Sequence, residues 1–528
     1  MRKDRANTIE VKNPAEDYGK CQQYVEDLLK NEKVSNTVIM ETTFIFEAIY
    51  NNIFEQNKDS EIGLTLKTEK RWGNTCIRLD FEGNMYRERE SEYEELIPEE
   101  RIVKAYRDRI DHRYSAGHNV IRLTVKQNRG MAALPCFFAF LAAVLVYALL
   151  DCFLNTEEEH YVMNEVVLPL ERWGANLVLM VGAPVTFISF VKNMTDSFII
   201  LDRKSDIRKI RNVITRSSVI SVLLAILTLG FIMQVIKSPN IEYNSQMSVE
   251  VNLPEILTTL IPTDIFTPFM LLSPFPILIL AAIVTVALCS VGQYFDRMKE
   301  IIDMAYTLFS GMLTVVMYIL PVFLFLAVMD ILLDEGFSVF LPYFMIIPAV
   351  LLGFLVIGIF YWLRLRIRRI PVRDFVRKLG PLLRENYKIG SAIDAAPFNI
   401  RYCIRAWNMN RKKLEINVPV LAEINLDGNC FFMTLIPMLL VFCSNAEVTP
   451  LNMVMVGILA IFLSLGAPNQ PGSVLIGMLI ILYFMNADDL ISNAFIAEVL
   501  FGSMLNIVNV LGDIVTVYEL DKEGDERT

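Results

Sequence analysis

Eight apolar stretches near the length of a bilayer crossing constrain this chain most: 131–154, 168–198, 217–236, 254–292, 304–333, 338–363, 416–443 and 490–517. A helix needs roughly 20 such residues to span the hydrocarbon core, and a spanning segment must satisfy its own backbone. With 54% of residues hydrophobic and 20% charged, most of the chain cannot be an ordinary water-soluble fold. The class is an α-helical polytopic membrane protein, with the lipid bilayer as an obligatory partner.

The first 130 residues differ, since they are charged and hold no apolar run of spanning length. No signal peptide is read at the N-terminus, so a small cytoplasmic α/β domain is expected over 1–130. The basic clusters DRKSDIRKIRNVITR (202–216) and RLRIRRIPVRDFVRK (364–378) suit the cytoplasmic face, and NTEEEHYVMNE (155–165), without Lys or Arg, suits the outer one. Both termini are then cytoplasmic. The net charge of −10 sums over unlike parts and calls for no nucleic acid. Eight cysteines occur without a CxxC pair or zinc spacing, and read as small apolar fillers.

Within 1–130, residues 35–54 repeat apolar positions at helical spacing, while IGLTLK, CIRLDF and VIRLTV alternate as strands do. Glu47 and Asn51 in EAIYN, and Asp80 and Gly83 in DFEG, resemble the nucleotide-binding elements of the histidine-kinase-like ATPase fold. That resemblance implies a magnesium role for Glu47 and Asn51 and an adenine role for Asp80 at its glycine turn. The pattern is degenerate: one glycine stands where that family has two, and no glycine-rich lid or phospho-accepting helix follows. Nucleotide binding and enzyme activity are therefore not expected. The plain alternative is that Glu47 and Asn51, four apart, share a solvated helix face.

In 451–486 the interruption GAPNQPGS leaves two apolar arms too short to cross. Such a segment enters and returns on one side, and irregular backbone at membrane depth is tolerated beside protein or a water-filled cavity. The less apolar stretch 374–410, with GSAIDAAP at its middle, is a second candidate for this shape. Two hairpins, each followed by a helix with internal polar groups, would make an inverted repeat.

Those helices are unusual. In LAEINLDGNCFFM, Glu423 and Asp427 are four apart and share a face. Asp427-Gly428-Asn429 is poor helix sequence, so unwinding is expected there, exposing carbonyl oxygens of the kind a small cation binds. The last helix carries Glu498, Gly502, Asn506, Asn509 and Asp513 in steps of four, four, three and four, a polar stripe on an apolar cylinder. Ionisable residues in a membrane point to function.

These motifs carry a resemblance to the dicarboxylate/amino acid:cation symporters, the glutamate-transporter-like family. It rests on AEINLDGN, on VNVLGD in the last helix, on SLGAPNQPGS as the second hairpin tip, and on LIPTDIF opening an interrupted fourth helix, in order over about 131–520. It implies eight transmembrane helices and two re-entrant hairpins in a homotrimer at the plasma membrane. Scaffold-type helices one to six would occupy 131–370, and a transport core of hairpin 1, helix seven, hairpin 2 and helix eight 371–520, before a polar tail at 521–528. The core would carry a small-molecule solute across the bilayer as an elevator, driven by sodium, with a proton as an alternative at one site.

By the same resemblance, sodium ligands map to Asn425, Asp427, Asn509 and Asp513, with Ser464 in the second tip and Glu423 at a further cation position. Solute contacts map to Ser391, Asp394, Asn429, Gly466, Asn506 and Asn509. Two departures bear on the solute. Gly502 replaces the aspartate that takes a substrate amino group, and Leu505 replaces the arginine that pairs with a substrate carboxylate. Leucine cannot offer a bidentate fork, so acidic substrates are not expected to bind in the family's usual way. A transporter-like sensor, coupling solute binding to the front domain, is the alternative.

Overall fold

The computed structural model describes residues 8–11, 14–31, 34, 36–56, 63–71, 74–83, 85–86, 109–115, 117–125, 133–201, 205–235, 253–444, 446, 448–468 and 472–525. The chain divides into two compact units, one of residues 1–129, 393–419 and 523–528, the other of residues 130–392 and 420–522.

The first unit contains α1 (Pro14–Asn31), α2 (Asn36–Gln56) and the strands β1 (Thr8–Val11), β2 (Leu64–Arg71), β3 (Asn74–Glu82), β4 (Ile110–Ser115) and β5 (His118–Val125). The sheet runs β1-β2-β3-β5-β4 with every pair antiparallel. Alternation decides its faces. Leu66, Leu79 and Ile121 lie in cross-strand register and are buried, as are Ile45, Ile49 and Ile53 at successive turns of α2. The other face is polar. Arg78 and Arg122 sit opposite one another, a repulsive pairing. Glu69 relieves it by bonding Arg122 at 2.6 Å and Arg78 at 3.5 Å. The expected helix and three strands are present; β1, β4 and α1 are additions.

The apolar stretches form helices as expected. They are α3 (Ala133–Phe153), α4 (Thr156–Val162) leading through a π-turn into α5 (Leu168–Leu201), and α6 (Ser205–Val235). The fourth stretch is broken into α7 (Leu253–Thr259), α8 (Thr267–Met270) and α9 (Pro274–Ser290). Asp264 of LIPTDIF accepts the backbone N–H groups of Phe266 and Thr267 at 2.7 and 2.8 Å, restarting the helix at α8. Then follow α10 (Phe295–Met317), α11 (Leu320–Glu335), α12 (Phe340–Ile367), α13 (Val372–Ile389), α14 (Ala392–Trp407), α15 (Arg411–Ile424), α16 (Asp427–Cys443), α17 (Pro450–Leu465), α18 (Ser473–Phe484) and α19 (Ile491–Asp525).

Among the described residues, seven helical segments are long and apolar enough to cross a membrane, against the eight transmembrane helices expected. Their burial sorts them within the second unit. Phe137, Leu141, Leu145, Leu149 and Phe153 of α3 are exposed, as lipid-facing side chains should be, whereas α16 is buried on nearly all sides. Helices α17 and α18, of 16 and 12 residues, reach about 24 and 18 Å at 1.5 Å per residue. Neither matches a hydrocarbon core of about 30 Å. They pack against each other and against α16, the arrangement the sequence suggests for the second hairpin.

Helices α13 and α14 meet at Gly390, whose φ of 70° is the left-handed conformation glycine tolerates. Residues 393–419, most of α14 and the start of α15, belong to the first unit. There Arg401 of α14 bonds Thr43 at 3.2 Å and Glu47 at 3.1 Å on α2, and lies over the Phe44 ring.

Candidate cation and solute site

The site begins with a broken helix. The sequence places unwinding at Asp427-Gly428-Asn429, but the break lies just before it: α15 ends at Ile424 and those three residues form the first turn of α16. The reason is a cap supplied from elsewhere. A helix start leaves its first N–H groups without partners. Here Asn509 Oδ1 of α19 accepts from Gly428 N at 2.9 Å and Asn429 N at 3.2 Å, while Asn509 Nδ2 donates to Asn429 Oδ1 at 2.9 Å. Glycine is required at 428, because a Cβ there would stand 2.8 Å from Asn509 Oδ1 and 3.0 Å from the Leu505 carbonyl.

The interruption releases Asn425. Its Nδ2 donates to Asp513 Oδ1 at 2.9 Å, and its Oδ1, fully buried, has no hydrogen-bond partner among the described residues. Asp427, also fully buried, accepts from the Ser217 hydroxyl and, at 3.5 Å, from Ser218 Oγ on α6. The Tyr361 hydroxyl of α12 donates to the Val508 carbonyl of α19 at 3.5 Å. Gly512 leaves room for Tyr361, whose hydroxyl would lie 2.7 Å from a Cβ there.

Arg364 sets the electrostatics. It bonds Glu519 at 3.1 and 2.9 Å, Thr516 at 3.0 Å and Ser217 at 3.2 Å. Asp427, Asp513 and Glu519 as carboxylates, against this one guanidinium, leave the cluster two charges short of neutrality. Buried carboxylates without compensation are costly. Asn425 Oδ1, Asp427, Asp513, Ser217 and Ser218 offer hard oxygens, the chemistry a small cation binds. Those residues fit sodium. Asn509, with both amide atoms engaged, holds the helix start.

The other expected positions are distributed around this cluster. Ser464, at the end of α17, lies 2.9 Å from Cys430 Sγ on α16. Gly466 packs on α5, where a Cβ would be 2.9 Å from the Thr186 carbonyl. Asn506 Nδ2 reaches the Asn386 carbonyl of α13 at 3.5 Å, and Ser391 is buried. The Asp394 side chain lies outside the described residues, as do residues 469–471 of the second tip. Glu423 turns to a different partner. Its Oε1 accepts from Lys192 Nζ at 3.0 Å, in a chain through Asp196 to Lys299 and Asp303.

Leu505, the position to which the resemblance assigns an arginine, is buried. Gly502 is covered by Glu498, whose Oε1 would stand 2.7 Å from a Cβ at 502. The Glu498 carboxyl meets the backbone N–H groups of Gly472 and Leu475 at the start of α18, and no basic side chain among the described residues pairs with it. An acid thus occupies the space beside Gly502, displaced one helical turn.

In the first unit, the proposed nucleotide residues have other partners. Glu47 is bonded by Arg401 and lies 3.7 Å from Arg411, and Asp80 accepts two bonds from Arg78 at 2.8 and 3.0 Å within the sheet. Burial first, then the Glu47 carboxylate, push the Tyr18 phenol well above its usual value. Asn51 stands half-buried on α2, and Gly83 makes its turn with φ 151°. Sequence reading missed Ser217, Ser218, Tyr361 and Arg364. Adjacent serines opening an apolar span, and an arginine closing another, were their signal.

No curated protein matches the sequence closely enough to count as a relative. The sequence profile of the sodium:dicarboxylate symporter family matches residues 163–522, from the π-turn before α5 to the last turn of α19. This chain is a multi-pass membrane transport protein belonging to the sodium:dicarboxylate symporter family.

Proposed function

We propose that the chain is a secondary active symporter that moves a small organic solute of the amino acid or carboxylate class with sodium, without the family's acidic-substrate mode. The carrying observation is the buried Asn425, whose Nδ2 bonds Asp513 and whose Oδ1 has no partner among the described residues, an oxygen whose burial is compensated when a cation is bound. Supporting the departure in solute are Leu505, which offers no guanidinium, and Glu498 over Gly502, which offers an anion suited to a positively charged group. Asn429, Asn506 and Ser391 complete the proposed solute contacts. Helices α13–α19 would move as an elevator in a homotrimer of the plasma membrane, with both termini cytoplasmic. At Glu423, the further cation position, Lys192 Nζ already stands 3.0 Å from the carboxylate.

Reconstitution into proteoliposomes tests this reading. Labelled amino acids and carboxylates should accumulate under an inward sodium gradient, and Asn425→Ala should abolish the dependence on sodium. No accumulation under any imposed ion gradient would refute it. A second reading, a solute sensor, draws on the placement of residues 393–419 in the same compact unit as the front domain. It expects sodium- or solute-dependent thermal stabilisation without flux.

A further inference from the structure

Away from the cation cluster, three helices bring two carboxyl groups to one hydroxyl. Glu171 lies in the first turn of α5, Asp330 on α11 and Ser492 near the start of α19. Their exposures are 4%, 7% and 2%. Ser492 Oγ hydrogen-bonds Glu171 Oε1 and stands 2.8 Å from Asp330 Oδ2. Asp330 Oδ1 has no partner among the described residues.

Counting hydrogens decides the chemistry. A serine hydroxyl carries one hydrogen and an ionised carboxylate carries none. Ser492 can donate to one acid only, so its second contact needs a hydrogen that an ionised carboxylate does not supply. One further proton on the pair, shared between its oxygens, completes the set. Two carboxyl groups at this separation cannot both ionise without a counter-ion. The neighbouring charges do not provide one. Arg172 follows Glu171 on α5 but is exposed, while Asp334, one turn beyond Asp330 on α11, adds negative charge. His160 on α4 faces Asp334, Asp151 and Tyr147 lie on α3 against α11, and Asp488 and Arg172 each lie near Tyr483.

We infer that Glu171, Asp330 and Ser492 form a proton-binding site, separate from the cation cluster, that holds one proton in the state described. Ser492 and Asp513 stand 21 residues apart on the same helix, about 32 Å along its axis. The site therefore bonds the start of α19 to α5 and α11 while protonated. Loss of the proton sets two like charges against that start. The helix carrying Asn509 and Asp513 thus senses proton occupancy at its far end, whichever solute is moved.

Infrared difference spectroscopy of the full chain in lipid vesicles, stepped in pH, tests the assignment. The wild type should show one protonated carboxyl C=O band at neutral pH that is lost on alkaline titration. Glu171→Gln and Asp330→Asn should each remove it, and Ser492→Ala, which keeps both acids, should retain it at a shifted frequency. A wild type without the band overturns the proposal, as does a band untouched by both acid variants. Repeating the titration with choline for sodium separates the ions. A band seen only without sodium would assign the site to a metal cation and refute the proton.

Discussion

Asn509→Ala isolates the device that holds the helix break. The substitution removes one oxygen that accepts from two backbone N–H groups, and one N–H group that donates to Asn429 Oδ1. All three abandoned groups are buried. Each buried polar group left without a partner costs roughly 1–3 kcal/mol, so the low end of the sum is about 3 kcal/mol. That is on the order of a hundredfold in the folded-to-unfolded ratio. The readout is the thermal unfolding midpoint in detergent at one heating rate, followed by intrinsic tryptophan fluorescence from the four tryptophans. Asn509→Asp is the informative companion. It keeps an acceptor at a helix start, where negative charge is favoured, but adds a third uncompensated charge to the cluster. Its midpoint should fall less than that of Asn509→Ala in high sodium and fall further when sodium is withdrawn. An Asn509→Ala variant as stable as the wild type would refute the capping argument, and with it the account of why Asp427 begins a helix.

Gly428→Ala should lower stability by about 1–3 kcal/mol through overpacking against Asn509 and the Leu505 carbonyl, measured by the same midpoint. Arg364→Met leaves Glu519 buried without its partner, a loss of about 3–5 kcal/mol; the double change with Glu519→Gln should recover most of it. Magnesium–ATP should leave the unfolding midpoint of the full chain unchanged, because Arg401 and Arg78 occupy the Glu47 and Asp80 carboxylates. Lys192→Met should make solute uptake respond to external pH, since Glu423 then loses its cationic partner.

The membrane helices were legible because the bilayer imposes a length and a hydropathy on every crossing. The second hairpin was legible because Pro and Gly divide an apolar run into arms that cannot span. Local sequence was a poorer guide at Asp427-Gly428-Asn429. Weak helix propensity there suggested unwinding, but the capping acceptor comes from residue 509, on a helix that sequence distance hides. The same holds for Asp427, whose serine partners lie more than two hundred residues earlier. Glu423 and Asp427, four apart, suggested one polar face, yet the break between α15 and α16 sends them to Lys192 and Ser217 respectively. Glu47 was readable as a helical acid, but its bond to Arg401 crosses 354 positions. Pair chemistry fixed by distant segments is what a single sequence withholds.

The two motifs that carry the family likeness therefore have two separable duties. Asn509 and Gly428 hold a helix start against a neighbouring helix, a structural need present whether or not any ion is moved. Asn425 and Asp427 place oxygens in a buried cluster that is two charges short of neutrality. A chain could keep the first pair for its fold after losing transport, so retention of VNVLGD alone says little about coupling. The electrostatics lie with the second pair, whose Asn425 Oδ1 has no partner within the described protein. Positions 502 and 505, two turns and one turn before 509 along α19, are where the proposed change of solute would lie. Their exchange for glycine and leucine, beside an intact cluster, is consistent with a cation requirement kept while solute recognition changed. On the proposed function, the discriminating substitutions for sodium would be at Asn425 and Asp427, and those for the solute at Glu498, Gly502 and Leu505.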